Sequence, residues 1–281
     1  RWSCLVDAGG TLEEFEDTAG VEFVRTIPAL TGYARALLAS ERDQIIFYLV
    51  PEGERWLAVS IARDVSAMAA AQAPVQARGT FSQRLLADKI VAIGASTGGT
   101  EAIKDVLCAL PEEMPPILMV QHMPETFTAS FAKRLDTVSR LKVIEVQGGE
   151  RLQPGTAYLA PGHSHMRVRK SGGGYLLDLS QDEPVNRHRP AADVLFWSVA
   201  EQVRQNAVGV ILTGMGKDGA QGLLSMRQAG AWNIGQDQAS CVVYGMPREA
   251  AEVGALDEVA PLGDIAGCIL ARLRAMDKRA G

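Results

Sequence analysis

One serine, Ser96, lies at the centre of a glycine-rich turn that directly follows an apolar run. Residues 90–100 read Ile-Val-Ala-Ile-Gly-Ala-Ser-Thr-Gly-Gly-Thr, and residues 101–110 resume an apolar pattern typical of a helix. A strand-to-helix turn exposes the serine Oγ, and the free N–H groups at a helix start can bind an anion. These are two of the parts that acyl transfer requires, so the next requirement is a base and an acid.

An imidazole and a carboxylate follow apolar runs of the same kind. His122 follows Ile-Leu-Met-Val-Gln, and Asp218 lies in the loop 214–219 after Val-Ile-Leu-Thr. Ligands of open α/β sheets bind outside the carboxyl ends of the strands, so the three loops can converge. His122 would then take the Ser96 proton, and Asp218 would fix the imidazole tautomer. Backbone N–H groups at the Ser96 turn and at the Gly214–Gly216 turn could hold the oxyanion.

Each of these residues also has a purely structural interpretation. Ser96 could cap a helix or line a phosphate loop, His122 could be a half-buried histidine with its hydrogen bonds satisfied, and Asp218 could stabilise a helix N-terminus. Their coincidence at three strand ends favours catalysis.

Other motifs compete for a functional assignment. His163 and His165 form an H-x-H pair, but no third metal ligand follows at a suitable spacing. His188 lies between Arg187 and Arg189, where it forms either a contact for an acidic substrate or a solvated turn.

Three common nucleotide and hydrolase motifs fit poorly. The G-x-S-x-G pattern around Ser96 occurs at the nucleophile elbow of α/β-hydrolases, whose triad runs serine, acid, histidine. Here the last histidine is His188, and the strands and oxyanion loop expected before Ser96 are missing. The turn is not G-x-G-x-x-G, and the lack of Gly-Lys-Ser/Thr excludes a Walker A loop.

Composition sets limits on the class of protein. The 281 residues are 47% hydrophobic and carry a net charge of −5, which argues against a broad nucleic-acid surface. The short basic cluster Arg167, Arg169 and Lys170 is read as a solvated strand face. The four cysteines lack C-x-x-C spacing, so neither a zinc site nor a disulfide framework is indicated, as suits a reducing cytosol. No apolar run reaches the roughly 18 residues of a membrane span.

The chain divides into two regions of different character. An Ala- and Gln-rich stretch over 62–87 is typical of a linker. It separates a small N-terminal α/β region of unknown role, 1–61, from a catalytic domain over 88–281. In the first region we predict a helix near 26–40.

Strand and helix patterns predict the fold of each region. The runs 44–50 and 55–61, joined by Pro-Glu-Gly-Glu, predict a hairpin. Apolar runs alternating with helical patterns in 88–281 predict a doubly wound, mostly parallel sheet flanked by helices. A Ser-Gly-Gly-Gly turn within 166–179 predicts an inserted antiparallel hairpin. The predicted strands of the larger region are 89–94, 117–121, 142–146, 157–160, 166–170, 175–179, 208–213 and 232–236. The predicted helices are 99–110, 127–138, 190–205, 219–229, 246–254 and 262–274.

Six motifs occur in a fixed order along roughly 88–275. They read Gly-Ala-Ser-Thr-Gly-Gly at 94–99, Gln-His-Met-Pro at 121–124, Ala-Pro-Gly at 160–162 with His-Met at 165–166, Pro-Val-Asn-Arg-His-Arg-Pro at 184–190, Thr-Gly-Met-Gly-Lys-Asp-Gly-Ala at 213–220 and Tyr-Gly-Met-Pro-Arg at 244–248. Together they resemble the catalytic domain of the chemotaxis protein-glutamate methylesterases (CheB-like).

This resemblance implies a serine hydrolase of sensory adaptation. Such enzymes hydrolyse glutamate γ-methyl esters on chemoreceptors, release methanol, and often deamidate receptor glutamines. The family's triad would fall on Ser96, His122 and Asp218, and its oxyanion and active-site support on Thr97 and Met215. No metal or organic cofactor is implied.

The resemblance also implies partners and a cellular location. The cytoplasmic helices of methylated chemoreceptors would be the substrate, and the chemotaxis kinase or other regulatory proteins would be further partners in the cytoplasm. Nucleic-acid binding and membrane insertion are not implied. An acidic receptor bundle would give Arg187, His188 and Arg189 a substrate to bind.

The N-terminal region departs from the family pattern. A phospho-accepting receiver domain usually precedes the catalytic domain, with an acidic pair, an Asp-x-x-Met-Pro-x-x-Asp-Gly loop and a late Lys-Pro. Residues 1–87 show none of these, so phosphorylation control is not inferred. Two alternatives to the methylesterase stay open: a non-catalytic receptor-binding adaptor, which the intact triad argues against, and a small-ester α/β-hydrolase.

Overall fold

A computed structural model describes residues 81–278 in full and, before them, the backbone of six strands between 3 and 64. The chain divides into two compact units, Arg1–Gln76 and Ala77–Gly281. No helix in this described part of the chain is both long and apolar enough to span a bilayer.

The described strands of the first unit pair antiparallel throughout. Four form a sheet in the order β3-β4-β5-β6, and β1 pairs with β2. The bounds are β1 Ser3–Val6, β2 Leu12–Glu16, β3 Glu22–Ile27, β4 Ala34–Ala39, β5 Gln44–Glu52 and β6 Arg55–Asp64.

One prediction for this unit is confirmed and one is wrong. The hairpin is confirmed, because β5 and β6 pair from Gln44–Asp64 to Glu52–Arg55. The helix near 26–40 is wrong over 26–27, which end β3, and over 34–39, where Ala-Arg-Ala-Leu-Leu-Ala forms β4. These residues favour a helix locally, but β4 pairs on both sides with β3 and β5, and that pairing decides the conformation. Within the predicted linker, residues 65–80 lie outside the described residues.

The second unit alternates strands and helices. Its strands are β7 Ile90–Ala95, β8 Ile117–Gln121, β9 Lys142–Glu145, β10 Thr156–Leu159, β11 His165–Ser171, β12 Gly174–Ser180, β13 Ala207–Ile211, β14 Trp232–Gln236 and β15 Glu258–Ala260. Its helices are α1 Gln83–Asp88, α2 Gly99–Ala109, α3 Glu125–Val138, α4 Ala192–Gln202, α5 Ala220–Gln228, α6 Met246–Glu252 and α7 Leu262–Lys278.

Seven of these strands form one parallel sheet in the order β15-β14-β13-β7-β8-β10-β9. The predicted doubly wound architecture is confirmed, and β7, which carries Ser96 at its end, lies in the middle. Its neighbours β13 and β8 lead to the loops of Asp218 and His122. Two short elements, α1 and β15, were not predicted from the sequence.

Helices cover both faces of the sheet, and each face has its own apolar core. On β7, Val91 and Ile93 pack on the face covered by α1, α2, α3 and α7. Ile90 and Ala92 pack on the opposite face, with α4, α5, α6 and the hairpin. Burial of alternate strand residues on both faces explains the continuous apolar runs of the sequence.

The inserted hairpin is confirmed as an antiparallel pair. β11 and β12 pair from His165–Ser180 to Ser171–Gly174. The hairpin docks on α4, where Val168 N–H donates to Ser198 Oγ at 3.0 Å. Arg169 and Lys170 of its basic cluster are exposed, and Arg169 forms an ion pair with Asp178 at 2.7 Å.

Candidate active site

Ser96 occupies a tight turn between β7 and α2. Its N–H donates to Thr213 O at 3.0 Å, and its carbonyl accepts the Gly99 N–H at 2.8 Å. Gly98, which precedes α2, has a φ of 82°, a left-handed conformation that suits glycine. A Cβ on Gly98 would lie 2.6 Å from the Val242 Cβ. The turn therefore needs glycine, and Ser96 stays partly exposed within it.

His122 lies beside Ser96 because the two strands end in register. Ala95 at the end of β7 pairs with Gln121 at the end of β8, so Ser96 and His122 are the first residues after two neighbouring strands. The His122 N–H donates to Ala95 O at 3.1 Å. Gln121 Nε2 joins the two loops through bonds to Ser96 O at 2.8 Å and His122 O at 3.0 Å. Since adjacent strands lie about 4.8 Å apart, the backbones of Ser96 and His122 are direct neighbours at this edge of the sheet.

Asp218 reaches His122 from the far side of β7. Its Oδ2 lies 2.7 Å from His122 Nε2, and its side chain is only 1% exposed. Oδ2 also accepts the Ala192 N–H at 2.6 Å, while Oδ1 accepts the Asp193 N–H at 3.2 Å and Asn186 Nδ2 at 2.9 Å. Ala192 and Asp193 begin α4, and the positive end of a helix stabilises an anion.

These contacts keep the buried carboxylate ionised. Burial by itself raises the pKa of Asp218, but the hydrogen bond and charge of His122, with the Asn186 and Ala192 donors, outweigh burial and lower it. A carboxylate with both oxygens occupied in this way is a fixed negative charge against the imidazole edge.

The imidazole presents Nδ1, not Nε2, as its free nitrogen. Nε2 is held by Asp218, and Nδ1 is buried without a hydrogen-bond partner among the described residues. A carboxylate on Nε2 favours the tautomer with the proton there, which leaves the Nδ1 lone pair available to a neighbouring hydroxyl. Catalytic hydrogen bonds are often loose in the absence of substrate. The geometry therefore suits Nδ1 as the base for Ser96.

Two backbone amides near Ser96 are available to an anion. Gly214 approaches the serine closely, since a Cβ there would lie 2.8 Å from Ser96 Cβ and 2.3 Å from Met246 Sδ. The amides of Thr97 and Met215 donate to no other residue in the described part of the chain. Met215 itself is 69% exposed. The close approach at Gly214 explains why glycine follows β13 here.

The three predicted substrate contacts, Arg187, His188 and Arg189, lie in one loop but have different surroundings. His188 stacks on His122 with ring centroids 3.7 Å apart and an interplanar angle of 9°. Arg189 Nη1 donates to the carbonyls of Gln181 and Asp182, each at 3.2 Å, and so ties the end of this loop to its beginning. Arg187 is exposed, and within residues 81–278 it has no ion pair.

Two polar residues behind the site, Asn186 and Asp193, were not predicted from the sequence as part of it. Asn186 Nδ2 donates to Asp193 Oδ2 at 2.7 Å as well as to Asp218 Oδ1 at 2.9 Å, so one amide bridges two buried carboxylates. Asp193 Oδ1 also accepts the Gly222 N–H at 2.6 Å. Burial and the nearby Asp218 charge raise the pKa of Asp193, although the Gly222 and Asn186 donors oppose them. The sequence signals were the place of Asn186 in the 184–190 motif and an acidic residue, Asp193, at the start of a helix.

The H-x-H pair has local hydrogen-bond partners. His165 is fully buried; its Nδ1 accepts the Ala191 N–H at 3.2 Å, and its Nε2 lies 3.1 Å from Glu183 O. His163 Nδ1 lies 2.7 Å from Ser164 Oγ. Among the described residues, no group of three or more potential ligands could hold a metal ion.

Comparison with known proteins gives a consistent result. The family model of the CheB methylesterase matches residues 91–269. A protein-glutamate methylesterase/protein-glutamine glutaminase of Nitrosomonas europaea is 62% identical over 193 residues, which are 69% of this chain and 54% of that protein. One of the same name from Paraburkholderia xenovorans is 54% identical over 211 residues, 75% of this chain and 58% of that protein. The chain thus spans about half the length of the curated relatives it matches.

A solved structure agrees with the family model. The CheB methylesterase catalytic domain of Thermotoga maritima is 40% identical, with a TM-score of 0.64, and the match covers 65% of this chain and 97% of that domain. The residues matched by the family model, 91–269, include every residue of the site described above. The chain belongs to the CheB methylesterase family.

Proposed function

We propose that the chain is a serine hydrolase that removes methyl esters from glutamate side chains of chemoreceptors. The observation that carries this proposal is the buried Asp218–His122 pair, which leaves Nδ1 without a hydrogen-bond partner among the described residues, while Ser96 follows the neighbouring strand. A satisfied structural histidine would have used both nitrogens, as His165 does. The printed names of the relatives supply the substrate class.

The first half of the reaction forms an acyl-enzyme. Ser96 Oγ attacks the ester carbonyl carbon while His122 Nδ1 takes the hydroxyl proton, and the carbonyl oxygen becomes an oxyanion. The amides of Thr97 and Met215 donate to that oxyanion, an interaction typically worth about 3 kcal/mol for each donor. The intermediate then collapses, the C–O bond to the methoxy group breaks, and the Nδ1 proton leaves with methanol.

The second half restores the enzyme. Water attacks the acyl carbon, Nδ1 accepts its proton, and the proton returns to Ser96 as the glutamate carboxylate departs. The Asp218 charge stabilises the imidazolium in both halves. With a receptor glutamine, ammonia replaces methanol as the first product, in keeping with the glutaminase in the relatives' names.

The surroundings of Ser96 suit a segment that is both apolar and acidic. Met215 and Val242, which lie on the loops around Ser96, are 69% and 45% exposed. Arg187 adds an exposed cation without an ion pair within residues 81–278. We assign the apolar side chains to packing on the receptor helices and Arg187 to their acidic residues, with Thr97 and Met215 amides at the reacting carbonyl.

We assign catalysis to residues 88–281 and place the enzyme in the cytoplasm, where the methylated receptor helices lie. The chemotaxis kinase or other regulatory proteins are further candidate partners of the chain, and residues 1–61 have no assigned role.

The test is methanol release from methylated receptor by the full chain. Ser96→Ala is expected to abolish release and to leave thermal unfolding unchanged. The control is Ser225→Ala, since that hydroxyl bonds to Gln221 O at 3.0 Å on α5 and takes no part in the site. Full activity of the Ser96 variant would overturn the mechanism.

A fluorophosphonate probe separates the alternatives. Labelling of the wild type but not of the Ser96 variant supports a serine hydrolase, and no labelling of either supports the receptor-binding adaptor. Turnover of p-nitrophenyl esters far above turnover of methylated receptor would support the small-ester hydrolase.

A further inference from the structure

His188 covers one face of the proposed base. The two imidazole rings lie almost parallel, at 9°, with centroids 3.7 Å apart, so His188 meets the flat face of His122 and not its edge. The edge is already occupied by Asp218 at Nε2. His122 is therefore fixed by one contact in its plane and another perpendicular to it, and its side chain is only 6% exposed.

The loop of His188 is built to hold this position. Val185 and His188 exchange both backbone hydrogen bonds, at 3.1 and 2.9 Å, and so close a tight turn. The central residues Asn186 and Arg187 have φ values of 52° and 69°. Left-handed backbone is costly for residues other than glycine and persists only when the surroundings fix it. Here the bonds from Asn186 to Asp193 and Asp218 supply that anchor.

We propose that His188 is a positioning residue of the hydrolytic centre, which holds the His122 ring by face-to-face stacking and must itself stay uncharged. The inference rests on the proposed function, because it assigns His122 the role of base. It replaces the expectation that His188 binds substrate directly.

Charge explains why His188 must be neutral. His122 becomes an imidazolium during each half-reaction, and a second cation on the stacked ring would oppose that proton transfer. The titratable groups that act on His188 are His122 from the loop after β8 and Asp218 from the loop after β13. Burial, followed by the His122 charge, lowers the pKa of His188, while the Asp218 charge opposes the shift. His188 is therefore uncharged at neutral pH.

Two flat replacements with different charge provide the test in the full-length protein. His188→Phe keeps a planar ring without a charge, His188→Arg keeps a planar group with a permanent charge, and His188→Ala removes the stack. We expect the Ala variant to lose about tenfold in kcat with KM changed less than twofold, and Phe to restore most of that loss. A nearby like charge should move the acid limb of kcat/KM in the Arg variant about one pH unit lower than in the Phe variant.

Two readouts keep this inference separate from the proposed function. Methanol release from methylated receptor gives kcat and KM, and the rate of fluorophosphonate labelling of Ser96 reports the base without any natural substrate. If the wild type labels but releases no methanol, the substrate assignment fails while the His188 variants still test the stack. A higher KM at unchanged kcat in the Ala variant, or equal acid limbs in the Phe and Arg variants, would overturn the inference.

Discussion

Replacement of Asp218 by asparagine tests the orientation of the imidazole directly. Each carboxylate oxygen accepts two hydrogen bonds: Oδ2 from His122 and Ala192, and Oδ1 from Asp193 and Asn186. An asparagine has one oxygen and one NH2 group, so it can satisfy only one of these pairs. The asparagine amide therefore has two possible orientations, and each leaves at least one donor without an acceptor.

The number of donors left without an acceptor decides which arrangement is favoured. With NH2 at the Oδ1 position, both the Asp193 N–H and the Asn186 amide lose their acceptor. With NH2 at the Oδ2 position, only the Ala192 N–H loses its acceptor, and an unsatisfied buried donor costs about 1–3 kcal/mol of stability. The second arrangement donates to His122 Nε2 and so drives the ring proton onto Nδ1. The nitrogen that should accept the Ser96 proton is then already protonated.

The expected loss is large. In the Ser-His-Asp template the same substitution lowers kcat about 10⁴-fold through the wrong tautomer. At about 1.36 kcal/mol for each factor of ten, this corresponds to roughly 5.5 kcal/mol of transition-state stabilisation. The measurement is kcat for methanol release from methylated receptor, with thermal unfolding recorded alongside.

Asp193→Asn is the matched control. Asp193 is buried in the same cluster but bonds to Asn186 and Gly222 and not to the imidazole, so we expect kcat to stay within about tenfold of the wild type. An Asp218→Asn enzyme within tenfold of the wild type would refute the assignment of the orienting carboxylate. Equal losses in both variants would instead assign the effect to the whole buried cluster.

Two further predictions concern stability. A fragment 88–281 is expected to be roughly 4 kcal/mol or more less stable in urea than a fragment 77–281, because it loses the buried side chains of Phe81, Leu85 and Leu86; equal midpoints would show that α1 contributes nothing. Burial lowers the pKa of His165, so the unfolded chain takes up a proton first and stability falls as the pH drops below about 6.5. His165→Gln is expected to reduce the loss of unfolding free energy between pH 8 and 5.5 by up to about 1.4 kcal/mol, and an unchanged pH dependence would contradict this.

The parallel sheet could be predicted because its strands are buried on both faces. Runs such as Ile-Leu-Met-Val at 117–120 have no polar alternation, and each is followed by a turn and a helical pattern. The helix prediction for the β4 segment was wrong because the local pattern there disagrees with the strand pairing. Its residues are good helix formers, and only pairing with two neighbours, which no local pattern reveals, makes it a strand.

The candidate site was partly predictable for the same reason. Ser96, His122 and Asp218 each follow a recognisable strand, so topology alone brings them to one edge of the sheet. The choice between imidazole nitrogens was not predictable, because it depends on which side Asp218 approaches from. Asn186 and the stack of His188 were equally hidden, since both contacts join positions far apart in the chain.

The separation of the acid from the base in sequence has a consequence for synthesis of the protein. Ser96 and His122 leave the ribosome early, but the carboxylate that orients the imidazole is 96 residues further on, and the α4 amides that hold it also come late. A nascent chain that has folded only β7 and β8 carries a serine and a histidine without a fixed tautomer. Under the proposed mechanism, the imidazole therefore gains its orienting carboxylate only when β13 joins the sheet.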